Sequence, residues 1–266
     1  MKKVTLSALE GIPLIQNGDN IGLIISDIAS KQGFVFENGD IIVIASKIIS
    51  KAEGRLVDTE TIVPSEEAIS LSRKLGMDSK HMEVILRETK RILIARPDLL
   101  LTEQLVGFIN TKAGVDSSNT ADGPKGKIVA LLPKDPDSSA ENVRKKIKES
   151  TGKDVAIVIN DTFGRPDRKG SVGMAIGISG IAAIYSPLSK EDIFGRKRHP
   201  EIAQIDEISA AASLLMGQTS ERRPVVVARG IDYLPSERSR IRDVLHPTEK
   251  YVNDARDIVR QMAKRK

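Results

Sequence analysis

The sequence has 266 residues, 40% hydrophobic, 29% charged and only 3% aromatic, with 41 Lys+Arg against 36 Asp+Glu for a formal net charge of +5. It contains no Cys, which removes disulfide scaffolds, thiolate metal sites and thiol nucleophiles. Three scattered histidines, His81, His199 and His246, argue against a histidine metal cluster or a Ser-His-Asp triad, so chemistry falls to carboxylates, amines, hydroxyls and backbone.

The start, Met1-Lys2-Lys3, is basic, but Glu10, Gly11 and Pro13 interrupt the apolar centre that a signal peptide needs. No run approaches the ~18 apolar residues of a membrane span. The expectation is a soluble cytoplasmic protein with no membrane partner. Asn17-Gly18-Asp19 reads as a turn into a helix, Asn20 to Lys31, and Asn38-Gly39-Asp40 as a turn into a buried strand, Ile41 to Ala45. Ser65 with Glu66 and Glu67 opens a helix to Leu75, and a second helix is expected from Ser79 to Lys90. Strands follow at Arg91 to Ala95 and Leu99 to Leu101. Between strands at 107–111 and 128–132 lies a polar stretch, Lys112 to Lys127, too long for a plain connection and so either disordered or functional. Asp137 or Ser138 is expected to cap a basic helix to about Ser150. Val155 to Asn160 is the cleanest buried strand. Pro200 to Met216 reads as a helix, Pro224 to Arg229 as a strand, and Thr248 onward as a charged helix. Strands and helices mix without a regular βαβ rhythm, which favours an α+β fold with mixed sheets and no Rossmann unit.

Four segments carry chemistry. Asn160-Asp161-Thr162 ends the clean strand, and a carboxylate beside a hydroxyl there suits Mg²⁺ or Mn²⁺, hard cations that prefer oxygen. An Asx-turn that merely stops the ladder reads equally well from that segment alone. Asp116-Ser117-Ser118-Asn119 offers a second dense set of oxygen ligands without EF-hand spacing, although taken locally a solvated Ser/Asn loop is the more ordinary reading; two strand-end carboxylates can converge on a metal pair. Lys47 and Lys51 stand i,i+4, so a helical turn would put both ammoniums on one face toward phosphates, although a plain basic surface turn is the ordinary alternative. There is no GxxxxGK[ST], so a nucleotide site here is not a P-loop. Finally, glycines at 170, 173, 177 and 180 would form a bare packing ridge on a helix, or an anion-cradling loop. Arg165, Arg168 and Lys169 before them are candidates for binding substrate phosphate or carboxylates.

Several separated stretches together resemble the coenzyme F420-0:γ-glutamyl ligase family: EGIPLI at Glu10–Ile15, SKIISKAEGR at Ser46–Arg55, AGVDSSN at Ala113–Asn119, LLPKDPDSSA at Leu131–Ala140, NDTFGRPDRKGSVGMAIGISG at Asn160–Gly180, LLMGQ at Leu214–Gln218 and PVVVARG at Pro224–Gly230. Their order spans nearly the whole chain, and the resemblance is to the stand-alone archaeal form. It implies a GTP-dependent ligase that joins L-glutamate to the lactyl carboxylate of coenzyme F420-0 and then adds a second glutamate by a γ-linkage. The implied route runs through an acyl phosphate and releases GDP and phosphate. The implied fold is one unit over 1–266 of two interleaved α+β subdomains, in a homodimer whose site lies at the interface.

Carried over by position, the resemblance implies a first divalent site at Asp116 and Asp161 and a second at Thr162 and Gln218, for Mg²⁺ or Mn²⁺, with potassium as a further cation. Some members have Glu where Gln218 stands, and a neutral carbonyl there would hold a cation more weakly. Nucleotide contacts map to Ile12, Pro13, Leu14, Ile15, Ser46, Lys47, Lys51 and Asn119. They continue through Met216, Gly217, Gln218, Thr219, Ser220, Glu221, Arg222 and Arg223, where some members instead have a glycine-rich loop. Two other functions compete with this one: a two-metal phosphoryl enzyme acting on another substrate, and a non-catalytic nucleic-acid binder using the basic tail. The second lacks any recognisable nucleic-acid motif, and the expected partners are small molecules, not nucleic acid.

Overall fold

A computed structural model describes the chain except for Asp98, 121–126, 166–167, 188–189, Thr248 and 250–266. The helix expected from Thr248 therefore lies outside the described residues. In chain order the elements are β1 (Thr5–Leu9), α1 (Ile21–Lys31), β2 (Ile41–Ala45), α2 (Ser46–Ala52), β3 (Leu56–Asp58), α3 (Glu66–Leu75), α4 (Ser79–Arg87), β4 (Thr89–Arg96), β5 (Leu99–Gln104), β6 (Ile109–Thr111), β7 (Ile128–Ala130), α5 (Pro136–Thr151), β8 (Ala156–Arg165), β9 (Arg168–Ser179), β10 (Lys190–Glu191), β11 (Lys197–Arg198), α6 (Gln204–Met216) and β12 (Val225–Arg229). The fold is α+β. A five-stranded mixed sheet runs β1-β12-β2-β8-β9, parallel only between β2 and β8. Smaller antiparallel sheets pair β3 with β7, β10 with β11, and β4-β5-β6.

Local chemistry accounts for the helix starts. Asn20 Oδ1 accepts from Leu23 N at 3.1 Å and Asp78 Oδ1 from His81 N at 2.9 Å, each satisfying a donor of the first turn. The basic helix α5 is capped by Asp135, which accepts from Ser138 N at 3.0 Å, rather than by Asp137 or Ser138. Pro136, lacking an N–H, occupies the first helical turn where none is needed. Asp137 is released to accept from Ile178 N (2.9 Å) and Ile241 N (3.0 Å). The second predicted helix stops at Arg87, because Thr89 and Lys90 enter β4, and α6 starts at Gln204, because Ile202 bridges to Tyr185.

The glycine-rich segment is neither helix nor loop. It is the long strand β9, whose register against β8 slips by one residue at Ile176. The slip turns two glycines, four apart, toward different helices. A Cβ on Gly177 would lie 2.5 Å from Pro136 O in α5, and one on Gly173 would lie 2.8 Å from Ser209 O in α6. Bare Cα atoms therefore allow helices to close on the sheet. Gly177→Ala would drive a methyl into α5 backbone, and the expected loss is about 1–3 kcal/mol by denaturant titration; an unchanged midpoint would contradict this packing.

Two clusters of buried side chains result. The larger centres on Ile41–Ile44, Ile157–Ile159 and Val225–Val227 with α1, α5 and α6 around them. The smaller gathers Ala68, Leu75, Met82, Ile85, Leu100, Val115 and Val129 from α3, α4, β5, β7 and the segment before Asp116.

Candidate active site

Strand directions bring the separated motifs to one edge of the main sheet. β2 and β8 are parallel, with Ala45 beside Asn160; β2 ends there, but β8, expected to stop at Asn160, runs on to Arg165 because it stays paired to β9, so Ser46 comes level with Asp161 midway along β8. β12 runs the other way, with Val225 beside Ile44, so the 216–223 loop arrives at the same edge. β1 is antiparallel to β12, with Leu9 beside Val225, so Ile12 to Ile15 leave from it too. Asp116 comes from the second cluster, held by reciprocal backbone hydrogen bonds to Ala130 of 3.0 and 2.7 Å.

The side chains then meet. Ser46 Oγ donates to Asp161 Oδ1 at 2.9 Å. Lys47 Nζ donates to Asp116 Oδ2 at 2.6 Å, and also to Ser118 O (2.5 Å) and Ser118 Oγ (2.9 Å). Ser118 N caps the other Asp116 oxygen at 2.8 Å. Thr162 Oγ1 lies 3.3 Å from Gln218 Oε1. Asn119 Nδ2 donates to Thr219 O at 2.9 Å, tying the Asp116 loop to the loop after α6. Lys47 and Lys51 share α2, as the i,i+4 spacing requires. Ile15 is buried in the main core while Leu14 is 71% exposed. Asn119 (φ +50°) and Arg222 (φ +54°) are both non-glycine residues in the left-handed region, at two turns of this edge. Such strain clusters at functional sites.

The two carboxylates are tuned in opposite senses. Burial pushes Asp161 up to about 6, reinforced by the neighbouring Asp116 charge, against the pull of hydrogen bonds from Ser46 and the Thr162 N–H. Burial also opposes ionisation of Asp116, but hydrogen bonds and charge from Lys47 and Ser118 outweigh it and hold that carboxyl below its ordinary value. Asp116 thus has a cation beside it, whereas Asp161 lacks one of its own. The ligand atoms on offer are all oxygens, two anionic and two neutral, which fits hard divalent ions.

Arg165, Arg168 and Lys169 lie further along the β8–β9 hairpin, with Arg165 paired to Arg168 in register. No hydrogen bond among the described residues joins them to Asp116 or Asp161. Sequence reasoning placed Ser118 and Asn160 in the chemistry-bearing segments but missed their partners, Lys47 for Ser118 and Ser213 for Asn160, and passed over Ser213 itself. An Asn closing an otherwise apolar run was the available clue.

Carboxylates, Lys47 and neutral oxygens converging on one edge of the main sheet make this the candidate active site. The family model of F420-0:gamma-glutamyl ligases matches residues 11–230. The chain is 42% identical over 252 residues to the coenzyme F420:L-glutamate ligase of Methanocaldococcus jannaschii, covering 94% of this chain and 97% of that one. It is 40% identical over 228 residues to the ligase of that name from Methanothermobacter thermautotrophicus (85% and 89% covered), and 37% identical over 264 residues to that of Archaeoglobus fulgidus (99% of each). The chain belongs to the F420-0:γ-glutamyl ligase family and is a ligase that forms a carbon–nitrogen bond.

Proposed function

We propose that this chain joins the α-amine of L-glutamate to the lactyl carboxylate of coenzyme F420-0, and then adds a second glutamate through the γ-carboxylate of the first. The observation that carries the reading is the double pairing at one sheet edge, Ser46 with Asp161 and Lys47 with Asp116, inside a family of this activity. A carboxylate is a poor electrophile for an amine. Its oxygen therefore attacks the γ-phosphorus of GTP and the bond to the bridging oxygen breaks. GDP leaves, and the acyl phosphate accepts the glutamate amine with loss of a proton and inorganic phosphate. Lys47 and Lys51 draw the phosphates to α2, and Asn119 holds the loop after α6 in place through Thr219. Asp116 with Asp161, and Thr162 with Gln218, would hold two Mg²⁺ or Mn²⁺ ions, which supply charge neutralisation on the transferring phosphoryl group. The hairpin cations Arg165, Arg168 and Lys169 suit the precursor's phosphodiester and carboxylates. The working form in this reading is a cytoplasmic homodimer. Ile193 and Phe194, 92% and 77% exposed on the β10–β11 turn, support a protein contact, and light scattering at two concentrations measures the assembly.

The test is mass spectrometry after incubation with GTP, Mn²⁺, glutamate and the precursor, in potassium and in sodium buffer. One or two added glutamyl units are expected. Hydrolysis of GTP with no acceptor present would favour a phosphoryl enzyme of another kind. A variant sharpens the site: Lys47 and a divalent ion compete for Asp116, so Lys47→Met is expected to bind Mn²⁺ several-fold more tightly without nucleotide while losing GTP affinity. Weaker Mn²⁺ binding in that variant would remove Asp116 from the cation site.

A further inference from the structure

Asn160 is 5% exposed and directly precedes Asp161 and Thr162. Its Nδ2 donates to Ser213 Oγ at 3.3 Å and approaches Met216 Sδ at 3.6 Å. Ser213 Oγ gives its own proton to Ser209 O at 2.9 Å, so it can only accept from Asn160, which fixes the amide's orientation. The Oδ1 on the other side is buried and meets no donor among the described residues. Gly173, the register partner of Thr162, makes the room: a Cβ there would stand 2.0 Å from Ser213 Oγ and 2.6 Å from Asn160 Oδ1. Two elements, α6 and β9, thus close on the amide that β8 presents. Met216 ends α6, Gly217 turns the chain at φ +72°, and the next residue, Gln218, reaches Thr162.

A half-satisfied amide midway along a strand, straight after its run of Ile and Val, is a poor way to gain cohesion, since its unmet acceptor keeps a desolvation penalty. Registry is a better account. We propose that Asn160 is a positioning residue of the ligase reaction: it locks the last turn of α6 onto β8, so that Gln218 and Thr162 form a single oxygen pair for the second divalent ion. The proposal rests on the two-cation reading above. Because Asp161 is held from the other side, by Ser46 and not by α6, the lock acts on the second ion and spares the first.

The experiment is Mn²⁺ titration by electron paramagnetic resonance of the free ion, without nucleotide, on the full chain. Wild type is expected to bind two ions. Asn160→Ala is expected to keep the first affinity within twofold and weaken the second at least tenfold. Gly173→Ala, crowding the same amide from β9, should reproduce that split. Ser213→Ala, which removes only the acceptor, should weaken the second ion several-fold and keeps the test open if the other variants do not fold. In turnover, Asn160→Ala should lower kcat more than it raises the KM for glutamate. Wild type binding fewer than two ions would overturn the two-cation reading and this inference with it. Two ions in wild type, with both or neither weakened in the variants, would overturn the lock alone.

Discussion

Asp161→Asn is expected to abolish ligation and, at the same time, to make the metal-free protein more stable at pH 7.5. The carboxyl is raised from 3.8 to about 6 by burial first, and secondarily by the charge of Asp116. A raised folded-state value means that the native protein holds this proton more tightly than the unfolded chain does. The associated stability is fully present below about pH 4 and is lost as pH rises through about 6. At pH 7.5 the ionised, metal-free carboxylate therefore costs up to about 3 kcal/mol. Asparagine keeps the acceptor for Ser46 and carries no charge. The variant should melt several degrees higher than wild type at pH 7.5, at about 2–4 °C per kcal/mol for a chain of this size, and no higher at pH 4. Its activity should fall by ~10³-fold or more, the scale of losing a main stabiliser of transition-state charge. Paired melts at the two pH values and one ligation assay decide the matter. A lower melting point at pH 7.5 would sink the electrostatic account, and retained activity would sink the metal assignment.

The contrast with Asp116 explains why the cost is concentrated at one residue. Two carboxylates near one another cannot both ionise cheaply in a partly dry site. Asp116 is already matched by Lys47 and by the Ser118 N–H. Asp161 has a hydroxyl, a backbone N–H and the more distant charge of Lys47 to set against its burial, and these do not offset it. The protein thus carries an unmet demand for positive charge at Asp161, the position where the proposed first cation would sit. Stability is given up at the place where function needs it, a common arrangement in active sites.

Much of this was legible in the residues. The strand at Ile41–Ile44 announces itself by an unbroken β-branched run and the start of β8 by its apolar residues, though not its extension past Asn160 to Arg165, and the i,i+4 lysines sit on a helix as their spacing requires. The parallel pairing of those two strands was not legible, because nothing local links Ala45 to Asn160 across the intervening chain. That pairing is what sets Ser46 against Asp161. The glycine ridge misled because a three-to-four spacing looks helical, while a one-residue slip in a strand gives the same spacing a different purpose. The α5 cap was readable after all, since Pro136 belongs in a first turn and points to Asp135 before it. Asp40 read only as a turn residue, because its partner is 189 positions away.

That partner sets the second large effect, at the end of the sheet away from the site. Arg229 closes β12 and reaches Asp40, just before β2, with Nε on Oδ1 and Nη2 on Oδ2, both at 2.7 Å. Its Nη1 also reaches Glu37 Oε1 at 2.6 Å, Nη2 reaches Val35 O at 2.8 Å, and the guanidinium lies 5.2 Å from the centre of the Phe34 ring. The Asp40 side chain is 0% exposed. Removing the arginine strands a buried carboxylate without its charge partner, while its geometry still demands one. Arg229→Met is accordingly expected to lose about 3–5 kcal/mol in denaturant titrations. Asp40→Leu combined with Arg229→Met should recover part of that loss, because the stranded charge is gone and only the packing and fork hydrogen bonds remain missing. A loss below about 1 kcal/mol in the single variant would mean that water or Lys side chains satisfy Asp40 and that the fork is ornamental. The folded fraction of Arg229→Met should still bind Mn²⁺ like wild type. β2 and β12 bear on the site through their opposite ends, at Ala45 and Pro224, so the anchor that holds the two strands together and the edge that does the chemistry are separated by the length of a strand.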